Sequence, residues 1–145
     1  MKQAVIFSII AIILSSCYTK QNKPDYDFMK KIKELELLDS NQKTKILISP
    51  KKYYFGKLNP TNIIKGSFYI KNIGQRDFNY VSIKSNCNCI KTTYQDIKAI
   101  HPNDSLLINY EMNTKKTKGL FQNTIIAIGN CQFGNQTFYF EGNIY

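Results

Sequence analysis

The chain has 145 residues, 43% hydrophobic and 21% charged, which suits one domain with its own core and excludes collagenous, wholly disordered and polytopic membrane classes. Lysine and arginine number 20 against 10 aspartates and glutamates, a formal net charge of +10 that ordinarily raises nucleic acid or an anionic surface as partner. Arg76 is the sole arginine, however, and base and phosphate readout favours the forked guanidinium, so an unclustered lysine excess is weak evidence for a nucleic-acid site.

At the N-terminus, Lys2 precedes an apolar run from Ala4 to Leu14 that falls short of the roughly 20 residues a spanning helix needs. Residues 1–16 therefore read as a signal peptide. It ends in Leu14-Ser15-Ser16-Cys17, which resembles the bacterial lipoprotein box: a leucine and two small residues before a cysteine that is acylated and becomes the first residue. The expected mature chain starts at Cys17 and meets the membrane through its acyl chains, which hold a protein stably when more than one is present. Tyr18 rather than an aspartate directly follows Cys17, which resembles lipoproteins passed on to the outer membrane. The expected location is the cell envelope, at the periplasmic face of the outer membrane, where nucleic acid is absent.

Residues 17–44 form a tether with a short helix. Within Asp25 to Asp39, Phe28, Ile32, Leu35 and Leu38 recur at helical spacing, and Asp25 and Asp27 suit a helix start. This helix is expected to pack on the following domain or serve as a stalk rather than lie on a membrane, because Glu34, Glu36 and Asp39 dilute its positive face.

From Lys45 onward the pattern changes to short β-branched and aromatic runs between turn residues. Strands are predicted near 45–49, 53–57, 66–73, 78–85, 96–100, 105–113, 121–128 and 136–144. Alternation is clearest at Phe68/Ile70, Val81/Ile83, Leu106/Ile108/Tyr110 and Phe138/Phe140. Asn72-Ile73-Gly74, His101-Pro102-Asn103-Asp104, Lys118-Gly119 and Gly129-Asn130 supply the turns. No crossover helix separates the strands, so residues 45–145 are expected to form an all-β, antiparallel Ig-like sandwich.

Five segments in order carry a family resemblance: Phe55-Gly56-Lys57-Leu58; Phe68-x-Ile70-x-Asn72-Ile73-Gly74; Val81-x-Ile83-x-Ser85-Asn86-Cys87-Asn88-Cys89; Ile100-x-Pro102-Asn103-Asp104-Ser105; and Gly119-x-Phe121 ahead of Ile126 and Asn130. Over roughly Lys52 to Tyr145 the chain resembles domain-of-unknown-function family 1573, bacterial envelope proteins with an Ig-like fold related to the PapD and major-sperm-protein sandwiches. The resemblance implies a fold and an envelope location and no activity. Two departures stand out. The family's Cys-Gly-Cys-Thr is Cys87-Asn88-Cys89-Ile90 here, and its Pro-Gly turn is Pro102-Asn103.

Beyond Cys17 the cysteines are Cys87, Cys89 and Cys131. If 78–85 and 121–128 pair antiparallel, Cys131 lies a strand's length from the other two, beyond the roughly 7 Å Cα separation a disulfide allows. Cys87 and Cys89 have three readings: packed thiols or a local disulfide, a thiol-redox pair, or a soft-metal clip for copper or zinc. A structural zinc site needs four ligands, and His101 is the sole histidine, placed before Pro102 in a turn where it reads as an exposed loop residue. Tyr53, Tyr54 and Phe55 read as strand packing before they read as a binding patch. No catalytic constellation or cofactor motif is present in the sequence. The function expected is non-enzymatic binding or scaffolding of an envelope protein or cell-wall component, with thiol or metal handling by Cys87 and Cys89 as the alternative.

Overall fold

The computed structural model describes residues 25–145; the expected signal peptide at 1–16, the expected acylation site Cys17 and the polar stretch after it lie outside the described residues. The described chain opens with helix α1, Tyr26–Glu36, capped by Asp25, whose side chain accepts the Phe28 N–H at 3.3 Å. The helix stops at the Leu37 cap, short of the expected Asp39, and a 3₁₀ turn over Ser40–Gln42 follows. Phe28, Ile32, Leu35 and Leu38 are half-buried, as their spacing predicts, and the Lys84 ammonium stands 4.4 Å from the centroid of the Phe28 ring.

Eight strands follow: β1 Ile46–Ser49, β2 Lys52–Leu58, β3 Ile63–Asn72, β4 Tyr80–Ser85, β5 Ile90–Thr93, β6 Ser105–Asn113, β7 Gly119–Gly129 and β8 Gln136–Ile144. They form two four-stranded sheets, in the orders β1-β3-β6-β5 and β2-β8-β7-β4, packed face to face as an Ig-like sandwich. The chain changes sheets between β1 and β2, across the cis Ser49–Pro50 peptide, and β2 pairs with β8 in parallel, with a bulge between Tyr54 and Lys57 where Gly56 has φ 66°. That parallel edge departs from the wholly antiparallel expectation.

Strand alternation builds the core. Phe68, Ile70, Ile108, Tyr110 and Met112 face inward from one sheet, and Ile125, Ala127, Phe138, Phe140 and Ile144 from the other. Phe68 of β3 stacks on Phe138 of β8 across the sandwich, with centroids 4.4 Å apart and planes 7° apart. Phe140 meets both Phe138 and Tyr110 edge-on at 4.9 and 4.8 Å, a geometry worth about 0.5–1.5 kcal/mol per pair beyond area burial.

The strand expected at 96–100 is absent; β5 lies at Ile90–Thr93 instead, and Ile100 makes only an isolated bridge to Phe78. Ile97 and Ile100 are apolar because this connection plugs one end of the sandwich: Ile100 is buried, Ile97 packs on the core, and the Ile97 carbonyl accepts the Tyr80 hydroxyl at 2.6 Å. Periodicity reports burial, and a core-plugging loop produces the same signal as a short strand.

That end is closed by two buried asparagines. The Asn72 amide donates to the carbonyls of Arg76 at 2.6 Å and Ile100 at 2.8 Å, while its oxygen accepts the Thr44 hydroxyl at 2.9 Å and the Gly74 N–H at 3.0 Å. Asn130 donates to the carbonyls of Gln42 at 3.1 Å and Asp77 at 3.0 Å and accepts the Asn79 N–H at 2.8 Å. Orphaning a buried polar group costs about 1–3 kcal/mol, so Asn72→Ala, which strips four partners, is expected to lower stability by roughly 3 kcal/mol or more in urea denaturation. An Asn72→Ala protein within about 1 kcal/mol of the parent would show that water replaces the amide.

Candidate functional site

The segment between β4 and β5 carries the chain from one sheet to the other, and Cys87 and Cys89 occupy that corner, joined by a disulfide. Cys87 and Cys89 are both half-buried, Asn88 between them is exposed, and Cys89 packs against the core. The corner is held by its own backbone: the Cys87 N–H donates to Ser85 Oγ at 3.1 Å, and the Asn113 N–H of β6 donates to the Cys89 carbonyl at 2.8 Å. Lys84 and Lys91, the cations nearest in sequence, are exposed, and Lys84 is engaged by the Phe28 ring. Asn88 stands where the family has glycine without adopting a positive φ, so this turn accepts the substitution.

Cys131 lies past the far end of β7, which pairs antiparallel with β4 through Tyr80↔Gly129 and Ser85↔Ile125, and it is buried and unbonded. Burial pushes its thiol up to about 12, so Cys131 packs as a small hydrophobe and is a poor nucleophile at neutral pH. Among the described residues no group of three or more His, Cys, Asp and Glu side chains is placed to hold a metal ion. Two sulfurs bonded to each other offer no thiolate, so a soft-metal clip at Cys87 and Cys89 would require their reduction first.

His101 is exposed, as its turn position predicts, and lines an open groove of about 830 Å³ with Asp77, Asn79, Lys98, Asn103 and Asp104. Its Nδ1 lies 2.9 Å from Asp77 Oδ1, a partner 24 positions away that no motif announces. Asn103 takes φ 69° in this turn, a left-handed conformation that glycine adopts without strain and asparagine tolerates.

The three adjacent aromatics divide their roles. Phe55 turns inward against Phe121 at 5.8 Å and covers Gly142, where any Cβ would strike its ring. The Tyr53 ring lies 6.2 Å from Tyr110, whose phenol burial pushes up to about 12, while Tyr54 is 71% exposed on the β2 edge. The sandwich thus presents β2 as an open edge of seven residues with an aromatic side chain standing out from it.

The Asp77 hydrogen bond and charge raise the His101 pKa above 6.5, so the cation is favoured in the fold; the stability it contributes is present below pH 6.5 and is lost as pH rises through the folded pKa. Asp77→Asn is expected to bring the His101 midpoint back toward 6.5 in an NMR titration, and an unchanged midpoint would remove Asp77 as the cause.

Known structures place this architecture. A protein of unknown function from Porphyromonas gingivalis W83 superposes with a TM-score of 0.61 at 17% identity, over 74% of this chain and 50% of that one, so this chain spans about half its length. The secreted serine protease VesC from Vibrio cholerae matches with a TM-score of 0.55 at 12% identity, over 71% of this chain and 24% of that one. PapD-like domain 7 of human CEP192 matches with a TM-score of 0.50 at 11% identity, over 75% of this chain and 91% of that one. At these identities the likeness concerns the fold alone, an Ig-like sandwich of PapD-like type. No curated protein matches the sequence. Residues 46–144, from the first residue of β1 to the last of β8, match the family described as "Protein of unknown function (DUF1573)", and the chain belongs to that family.

Proposed function

We propose that this chain is a lipid-anchored module of the cell envelope, tethered through Cys17 at the periplasmic face of the outer membrane, whose sandwich binds or scaffolds another envelope protein or a cell-wall component. The observation that carries the reading is Leu14-Ser15-Ser16-Cys17 placed after a short apolar run and ahead of a tether, a helix and a sandwich with an open edge. Among the described residues no helix is long and apolar enough to cross a membrane. The β2 edge supports the binding role, because an unpaired strand offers backbone N–H and C=O groups to an extended segment of a partner.

A second reading, reversible thiol chemistry at Cys87 and Cys89, is favoured by the disulfide itself. It closes a loop of only three residues and links neither sheet to the other through any long segment. In the chain-entropy description so short a loop contributes on the order of 1.5 kcal/mol, too little to be required for folding. Reduction would take two electrons and two protons from a dithiol donor of the envelope and leave two thiols on the corner.

Cys17→Ala, expressed with its signal peptide, is expected to move the protein from the membrane fraction to the soluble one. Membrane fractionation that survives a high-salt wash, which strips an electrostatic contact but not an acyl anchor, would remove acylation as the tether. Cys87→Ser combined with Cys89→Ser is expected to lower the unfolding free energy measured in urea by no more than about 1.5 kcal/mol and to leave intact the complexes that the anchored protein forms, visible on native gels of membranes. Loss of those complexes in a variant that still folds would favour the thiol reading over scaffolding.

A further inference from the structure

Helix α1 has two stripes. Phe28, Ile32, Leu35 and Leu38 turn toward the sandwich, where Phe28 meets Lys84, Ile32 and Leu35 flank Ile128, and Leu35 and Leu38 flank Tyr80 and Val81. On the opposite side Tyr26, Lys30, Lys33 and Leu37 follow at spacings of four, three and four, with Met29 beside them. All five are exposed, Tyr26 and Leu37 at 84% each and Met29 at 47%. No acid interrupts this outer stripe. Asp27, Glu34 and Glu36 lie to its sides at the helical period, and Asp27 is paired to Lys31 at 3.0 Å.

From this we propose that the outer stripe of α1 rests on an anionic phospholipid surface, so that the helix lies between the bilayer and β4. The inference builds on acylation of Cys17, which stands eight positions before Asp25 and so holds α1 within about 28 Å of the bilayer at full extension. A tyrosine, a methionine and a leucine on one side of a short helix, interleaved with two lysines, match an interface where rings and alkyl groups enter the headgroup layer and ammonium groups meet lipid phosphates. Asp27, Glu34 and Glu36 offset the three lysines of the helix in net charge but stand at the flanks of the Tyr26, Lys30, Lys33 and Leu37 stripe, with Glu36 next to Met29 at its margin. The consequence is orientation: β4 and β2 are opposite edges of one sheet, so seating α1 on lipid turns the open β2 edge away from the membrane.

The chain contains no tryptophan, so Tyr26→Trp provides a single indole in the full mature protein, and Tyr54→Trp on β2 provides its counterpart. With the acylated protein in phosphatidylglycerol-containing vesicles, Tyr26→Trp emission is expected to shift to the blue and be quenched by brominated acyl chains, while Tyr54→Trp emission is unaffected. The Cys17→Ala chain carrying Tyr26→Trp, mixed with excess anionic vesicles, reads the same face without the anchor. Its partitioning is expected to fall about fivefold for each of Lys30→Gln and Lys33→Gln. The N-terminal peptide mass reports acylation separately, so a failed anchor and a failed docking face are told apart. Unquenched Tyr26→Trp emission in both arms would overturn the proposal, and equal quenching in phosphatidylcholine vesicles would overturn the anionic assignment.

Discussion

Two buried side-chain amides hold this sandwich closed at one end, and the arrangement of its loops depends on them. A connection between sheets must bury part of its backbone, and each buried N–H or C=O needs a partner. Asn72 supplies partners to the segments around Thr44, Gly74, Arg76 and Ile100, and Asn130 to those around Gln42, Asp77 and Asn79. Two residues therefore satisfy backbone from the strand entry, the β3–β4 connection and the core-plugging loop together. Among the described residues no buried side-chain nitrogen or oxygen lacks a partner. The groove at His101 follows from the same closure, since Asp77 and Ile100 line it and are both tied to the amides through their carbonyls.

The opposite end is organised differently. Cys87 and Cys89 mark the corner where the chain changes sheets, and their disulfide is local to that corner. Cohesion between the sheets comes from the aromatic packing of Phe68, Tyr110, Phe138 and Phe140, which frees the cysteine pair from a necessary structural role. Cys131 is the reverse case, a thiol so buried that it behaves as part of the core.

Helix α1 joins the anchor segment to this scaffold. Its inner stripe fits β4 and the outer face of β7, which are partly covered as a result, and its outer stripe stays in solvent. A helix with apolar residues on two sides has more than one surface to satisfy, and only one of them is satisfied by the domain itself.

Much of the architecture was legible in the chain. Alternation at Phe68/Ile70, Leu106/Ile108/Tyr110 and Phe138/Phe140 marks inward faces, because side-chain direction in a strand is fixed by a period of two wherever the strand lies. The helix, the exposed turn at His101 and the separation of Cys131 from Cys87 and Cys89 followed from the same local rules. Other features had no local signature. Ile97 and Ile100 mimic a strand although they plug a loop, β5 hides in four residues beside the cysteines, and the direction of β2 against β8 depends on which sheet the chain enters after Pro50. Asn72 and Asn130 look like ordinary turn residues until the fold brings them partners 28 and 53 positions away. The sequence by itself determined which residues turn inward, because that is a property of neighbouring dihedrals. Only the tertiary structure decided which strand edge stays open and which buried polar groups meet, because both depend on contacts between segments whose separation along the chain carries no periodic trace.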